Sequence, residues 1–344
     1  MGKYIKLFNT HSEYEAFTAT TDFILPNVTF CKNITDEVHY NPYVHDYSQD
    51  YLTFEALEDG TFKFTKAIRY STNGGTTWVS LAANTATPTI TSGNKIMWKA
   101  TLTPNSYGIG EFSSTNNFNV EGNPMSLLFG DNFVGQTDLT GKDFAFFRLF
   151  YNCSELINAE NLSLPATTLA AWCYQRMFEN CTSLTTAPEL PATTLSINCY
   201  SSMFYGCTSL TTAPELPATT LANACYAGMF WGCTSLTTAP ELPATTLAIN
   251  CYSTMFLSCT SLTTTPELPA TTLETYCYQE MFENCTNLNY IKAMFTTEPS
   301  SSYTGSWVSG VAATGTFVKN SAATWNVSGN NGIPSGWTVQ TASA

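Results

Sequence analysis

The stretch CTSLTTAPELPATTL stands at 181–195, returns at 207–221 and 233–247, and returns once more at 259–273 with Thr265 in place of alanine. A chain that repeats a 26-residue unit without drift has few folds open to it. One unit is too short to bury a hydrophobic face alone, so successive units must stack and share a continuous core. The repeat therefore predicts a solenoid over 146–295, with an earlier, degenerate copy at 149–169 that carries two extra residues in its loop.

Each unit divides into two halves. In LxxxCYxxMFxxC, Leu195, Cys199, Met203 and Cys207 step by four, which predicts a short helix with one buried face. The Thr-Thr pair before it is a candidate N-cap, and Thr271 with Glu274 has the spacing of a capping box. The other half, SLTTAPELP, is bounded by proline and reads as extended. Stacked in register, these pieces predict a parallel sheet at about 4.8 Å per coil. After Ile291 the repeat decays. The last coil needs a cover, and Phe317, Trp325 and Trp337 are the candidate plugs.

Upstream, the pattern is alternation. YLTFEAL, Glu58-Asp59-Gly60 and TFKFT predict one hairpin; AIRYS, NGG and TTWVSL a second; KIMWKATL a further strand. This predicts an Ig-like β-sandwich over 51–145, with Phe54, Phe62, Phe64, Trp78 and Trp98 on its inner face. Ser71–Trp78 resembles an Asp-box hairpin with Asn73 in place of aspartate, a structural turn in the proteins that carry it. Residues 1–50 are mixed and read as an attachment segment. The expected fold is thus multi-domain: attachment segment (1–50), β-sandwich (51–145), solenoid of parallel sheet plus short helices (146–295) and C-terminal cap (296–344).

Charged residues are 11% of the chain, against roughly 25% in ordinary soluble domains. Aromatic residues reach 14%, too many to stay solvated. The net charge of −13 argues against nucleic acid as a partner, because phosphate needs a basic patch. No run approaches a membrane span. The opening MGKYIKLFNTHSEYEAF carries no apolar stretch of the kind a secretory signal needs.

The repeats hold little chemistry. No histidine follows His45, so the repeats cannot by themselves supply a Cys–His or Ser–His pair. The twelve cysteines read as free buried thiols, since helix geometry would keep those of one unit too far apart to bridge. No metal or cofactor is expected, and no catalytic residue. Thr185, Thr211, Thr237 and Thr263, with Glu189, Glu215, Glu241 and Glu267, recur at outward positions and form the candidate binding face. One threonine of each Thr-Thr pair is expected to point out and the other in. Tyr174, Tyr200, Tyr226, Tyr252 and Tyr278 read first as packing, and as a second possibility a row of rings stacking on sugars.

The unit MFxNCTSLTxxPxLPxTTLxxxCYxxMF resembles the BspA-like branch of leucine-rich repeats. Phe178, Cys181, Leu184, Pro191 and Leu195 fall on core or turn positions of that pattern, and the added Pro188 lengthens the strand segment and weakens sheet pairing. The resemblance implies a solenoid that binds rather than catalyses. The flanks, YIKLFNTHSEYEAF…LPNVTFC and TGTFVKN…GIPSGWTVQ, look similar to modular proteins of phages that infect gut anaerobic bacteria. That resemblance implies a non-enzymatic virion fibre or decoration protein, placed on the virion surface. It would meet other virion proteins through 1–50, bind a host-surface glycan or protein through the solenoid, and form a homo-oligomer, a trimer by analogy with fibres. A bacterial surface adhesin is the alternative, and a glycan-processing enzyme a second.

Overall fold

The computed structural model describes residues 45–342. The attachment segment, His11, His39 and Cys31 lie outside the described residues, apart from the segment's end at 45–50. Ser48–Ala344 form one unit. It begins with β1 (Leu52–Ala56), β2 (Phe62–Phe64), β3 (Ile68–Ser71), β4 (Val79–Leu81), β5 (Lys95–Lys99), β6 (Phe112–Ser114), β7 (Phe118–Gly122) and β8 (Leu156–Leu162). Six of these make one sheet in the order β4-β3-β5-β1-β7-β8, and β2 forms a separate two-stranded ribbon with β6.

The second expected hairpin is present, with Ile68 opposite Leu81 and Tyr70 opposite Val79. The first is not. β1 pairs antiparallel with β5 and β7, while β2 leaves the sheet to join β6. Gly60 marks the corner: a methyl there would collide with the Asn116 side chain, whose amide Nδ2 donates to Glu58 O at 3.0 Å. A six-stranded sheet faced by a two-stranded ribbon is not the expected Ig-like sandwich. Between them Phe54 meets Phe112 at 4.8 Å and Phe118 at 4.9 Å, and Trp98 meets Phe112 at 5.2 Å. Trp78, placed in that core by the alternation, is only half-buried. It lies under Lys99 Nζ, 4.1 Å from the ring centroid. The Ser71–Trp78 turn is held internally, with Gly75 N donating to Ser71 Oγ at 3.0 Å and Thr77 N to Asn73 Oδ1 at 3.0 Å.

The boundary expected at 145/146 does not divide the core. β7 pairs in parallel with β8, the first strand of the repeat region, and Phe150 packs 5.8 Å from both Phe54 and Phe112. The aromatic sheet therefore caps the solenoid's N-terminal end.

The CYxxMFxxC half is not helical. Among the described residues the only α-helices are α1 (Ser126–Phe129) and α2 (Ser301–Thr304), both outside the repeats proper. In their place stand successive four-residue turns, each closed by a left-handed residue: Asn198 (φ 53°), Ser202 (54°) and Gly206 (71°) in one coil, Ala224 (52°), Gly228 (62°) and Gly232 (74°) in the next. Donors alternate. Met203 N donates to Tyr200 O at 3.1 Å within its turn, while Ser202 N reaches Ala227 O at 2.8 Å and Phe204 N reaches Met229 O at 2.9 Å in the following coil. The step of four explains the choice. In an α-helix four residues overshoot a full turn by roughly 40°, so a strict step of four drifts off the buried face; one turn per four residues keeps it. The expected caps are absent too, and the Glu274 carboxylate takes its neighbour's N–H, Thr275 N, at 2.7 Å.

The extended half pairs sparsely. Copies carrying two prolines, such as Pro188 and Pro191, lack the N–H groups a ladder needs. They meet through single parallel bridges, Asn158–Thr186–Thr212–Thr238 on one line and Thr220–Thr246 on another. Continuous pairing resumes towards the C-terminal end: β9 (Thr264–Leu268), β10 (Tyr290–Ala293), β11 (Thr316–Lys319) and β12 (Thr338–Thr341) form a parallel sheet in that order, and β9, which still holds Pro266, pairs with β10 through a register shift between Thr264 and Glu267.

Inside, two aromatic stacks run the length of the solenoid. Phe146, Tyr174, Tyr200, Tyr226, Tyr252 and Tyr278 lie parallel, with neighbouring tyrosines 5.6 to 6.0 Å apart. Phe150, Phe178, Phe204, Phe230, Phe256 and Phe282 do the same at 5.4 to 5.7 Å. Trp307, unexposed, closes both, 6.2 Å from Tyr278 and from Phe282. Phe317, Trp325 and Trp337 are buried behind it as expected.

Candidate binding surface

All eleven described cysteines are free and buried. The second cysteine of each unit makes a specific contact with the coil before it. Cys207 Sγ donates to Phe178 O at 3.1 Å, Cys233 to Phe204 O at 3.1 Å, and Cys259 to Phe230 O at 3.1 Å. The thiol gives that buried carbonyl a second donor beside its own turn N–H, and burial pushes the thiols far up. Even Cys277 and Cys285, towards the end of the stack, are pushed up to about 12 by desolvation. These are packing groups with very little thiolate at neutral pH.

The tyrosine ladder is core. Its rings are at most 1% exposed, so no sugar can reach a face, and the second reading of these residues is corrected. The Tyr174, Tyr200 and Tyr226 hydroxyls are themselves buried without a protein partner.

The threonine and glutamate positions do reach solvent. Thr185, Thr211, Thr237 and Thr263 are exposed, as are Glu189, Glu215, Glu241 and Glu267. Some hydroxyls are spent on linking coils: Thr185 Oγ1 donates to Ile157 O at 3.0 Å and Thr237 Oγ1 to Thr211 O at 3.3 Å. Glu267 is bound to Lys292 at 2.7 Å. The expected in–out alternation fails, because Thr212, Thr238 and Thr264 are exposed too. One bridged residue per coil is not a pleated strand, so period-two alternation does not apply.

A second edge was missed. Residues flanking the buried Cys-Tyr and Met-Phe pairs of the turn ladder are mostly half-buried and line this edge. Phe144 lies flat on Trp172, centroids 4.8 Å apart at 4°. Arg148 holds its guanidinium over Tyr151 at 4.4 Å and Phe147 at 5.2 Å. Tyr205 meets Trp231 edge-on at 5.0 Å. The available signal was the difference between copies, which this edge concentrates. Among the described residues no grouping of His, Cys, Asp and Glu suits a metal ion, and no helix is long and apolar enough to cross a membrane.

Residues 147–252 and 171–304 match the model of the BspA type leucine-rich repeat region, in six copies. The solenoid belongs to the BspA-type leucine-rich repeats. No curated protein and no solved structure matches the chain. BspA-type repeats point to a surface-binding, adhesin-type protein, and the stacked coils fit that role. Each coil holds its interior fixed through Cys, Tyr, Met and Phe, keeps its exposed Thr and Glu edge nearly constant, and varies along the turn ladder.

Proposed function

We propose that this is a non-enzymatic fibre or decoration protein of a phage virion that presents its solenoid to the surface of a host cell. The observation that carries the binding role is the repeated display of exposed Thr and Glu positions, coil after coil, on a rigid aromatic core. Weak contacts repeated along such a face, and again across copies on a particle, gain from effective concentration. Low charge and abundant Thr, Ser and Asn favour a surface-displayed protein over a cytosolic enzyme. In this proposal residues 1–50 attach to other virion proteins and the chain assembles as a homotrimer.

Immunogold electron microscopy with an antibody to 146–344, applied to intact cells and to phage particles from one culture, tests the location. Label on particles is expected. Label on cells alone would make the chain a bacterial adhesin, the second reading, which the same BspA-type repeats favour.

A further inference from the structure

Repeats of one unit show where the chain tolerates no change and where it differs. The interior Cys-Tyr-Met-Phe-Cys positions are identical in the units beginning at Cys173, Cys199, Cys225, Cys251 and Cys277, and the TTxPELPATTL edge is nearly so in the first four. The pairs between them, mostly half-buried with Ser201 and Gly228 buried, differ in every comparison of neighbours: Gln175-Arg176, Ser201-Ser202, Ala227-Gly228, Ser253-Thr254, Gln279-Glu280. An identical edge offers every coil the same contact, whereas a varied edge can discriminate.

The backbone makes this variation costly. Phe144 (φ 59°), Arg148 (57°), Trp172 (55°) and Arg176 (58°) are all left-handed, where glycine or asparagine is at ease and a bulky residue is an outlier. The next two coils use Asn198, Ser202, Ala224 and Gly228 at the same ladder positions, and bulky residues return only towards the far end, at Tyr276 (φ 54°) and Glu280 (52°). Bulky side chains kept in unfavourable backbone conformations cluster at functional sites.

Charge narrows the partner. The cationic residues between 146 and 295 are Arg148, Arg176 and Lys292, in a chain of net charge −13. Lys292 is bound to Glu267, and Arg176 pairs with Glu179 at 3.3 Å. Arg148 makes no direct ion pair among the described residues, although the Glu179 carboxylate feels its charge more weakly than that of Arg176, and its Nε is buried with no hydrogen-bond partner. Its guanidinium is instead oriented by Tyr151 and Phe147. A carboxylate fits a fork of that kind. Beyond Arg176 the ladder continues as Ser202, Gly228 and Thr254, a low path along the stack for an extended chain.

We propose that Phe144, Phe147, Arg148, Tyr151, Trp172 and Arg176 form a site for a carboxylate-bearing polysaccharide. A sugar ring lies against the half-buried aromatics and its carboxylate on Arg148, and the chain runs along the turn ladder. The site deepens the surface-binding reading and rests on it.

Binding of the full chain to immobilised polygalacturonate, its methyl ester and poly-glutamate tests this, beside binding to whole host cells. Polygalacturonate should bind at least tenfold more tightly than either of the others. Arg148→Ser with Arg176→Ser, the residue the next coil uses, should lower that affinity at least tenfold while leaving the melting temperature within a few degrees. Arg69→Ser, which removes an exposed cation on β3 outside the solenoid, should leave it unchanged. Equal binding to the ester or to poly-glutamate, no polygalacturonate binding, or an arginine variant of unchanged affinity would each overturn the proposal. In those cases retained binding to cells would leave the surface-binding reading standing, and its loss in the unaltered chain would remove that reading as well.

Discussion

Replacing Ala224 with glycine distinguishes the turn ladder from a helix by sign. Ala224 is half-buried at φ 52°. A left-handed L-residue costs roughly 1–2 kcal/mol that glycine does not incur. Glycine returns roughly 0.5–1 kcal/mol of this through the freedom it adds to the unfolded chain. Losing a half-buried methyl takes back about 0.4 kcal/mol more. The net is a stabilisation of about 0.5 kcal/mol, or a rise of roughly 1–2 °C in melting temperature for a unit of this size. In a helix interior the same change destabilises by about 1 kcal/mol. The reciprocal Gly228→Ala, at φ 62° and with its methyl 3.2 Å from Ser202 Oγ, should destabilise by about 1 kcal/mol. Thermal unfolding followed by circular dichroism, with equilibrium urea unfolding beside it, reads both. A destabilised Ala224→Gly paired with a stabilised Gly228→Ala would refute the ladder.

Thr265→Ala, which restores the residue of the other copies, removes a buried hydroxyl with no partner and should stabilise by about 1 kcal/mol in the same assay. Trp307→Ala should cost about 3–5 kcal/mol by uncovering the end of both aromatic stacks. A thiol-reactive reagent should leave the eleven buried cysteines untouched in the native protein and label all twelve in denaturant; fast labelling of several in the native state would contradict the packing. Desolvation raises the ladder phenols above their ordinary value of 10.0, so their contribution to stability is intact below pH 10. It is lost as the pH climbs towards the folded-state values, because only the unfolded chain releases those protons freely. The five ladder tyrosines, of the chain's 18, should therefore add their tyrosinate absorbance together with unfolding above pH 10 rather than before it.

Much of the fold was legible. The period of 26 dictated stacking, Pro188 and its equivalents foretold weak sheet pairing, and the decay after Ile291 located the cap. The helix was misread because a step of four satisfies a helical face over two turns. What distinguishes the ladder is the strictness of the step, together with Asn, Ser and Gly recurring every fourth position at Asn198, Ser202 and Gly206. The hairpin at Glu58-Asp59-Gly60 was misread for a different reason. Its turn chemistry is local, but Asn116, more than fifty residues away, decides which strands pair. Trp307 escaped notice because SSYTGSWVSG has lost the repeat's consensus while keeping its place in the stack. Of the surface, the constant edge was visible as repetition. The varied edge required knowing which residues of the ladder face out.

The solenoid as a multivalent surface is tested most directly by removing one whole coil. Deleting residues 208–233 joins equivalent positions and keeps the register of every remaining unit. Binding of this shortened chain to host cells, measured against the full chain, should fall severalfold, with cooperative unfolding preserved because each coil contacts only its neighbours. A full chain that binds no cells, or a shortened one that folds and binds with undiminished affinity, would contradict the account.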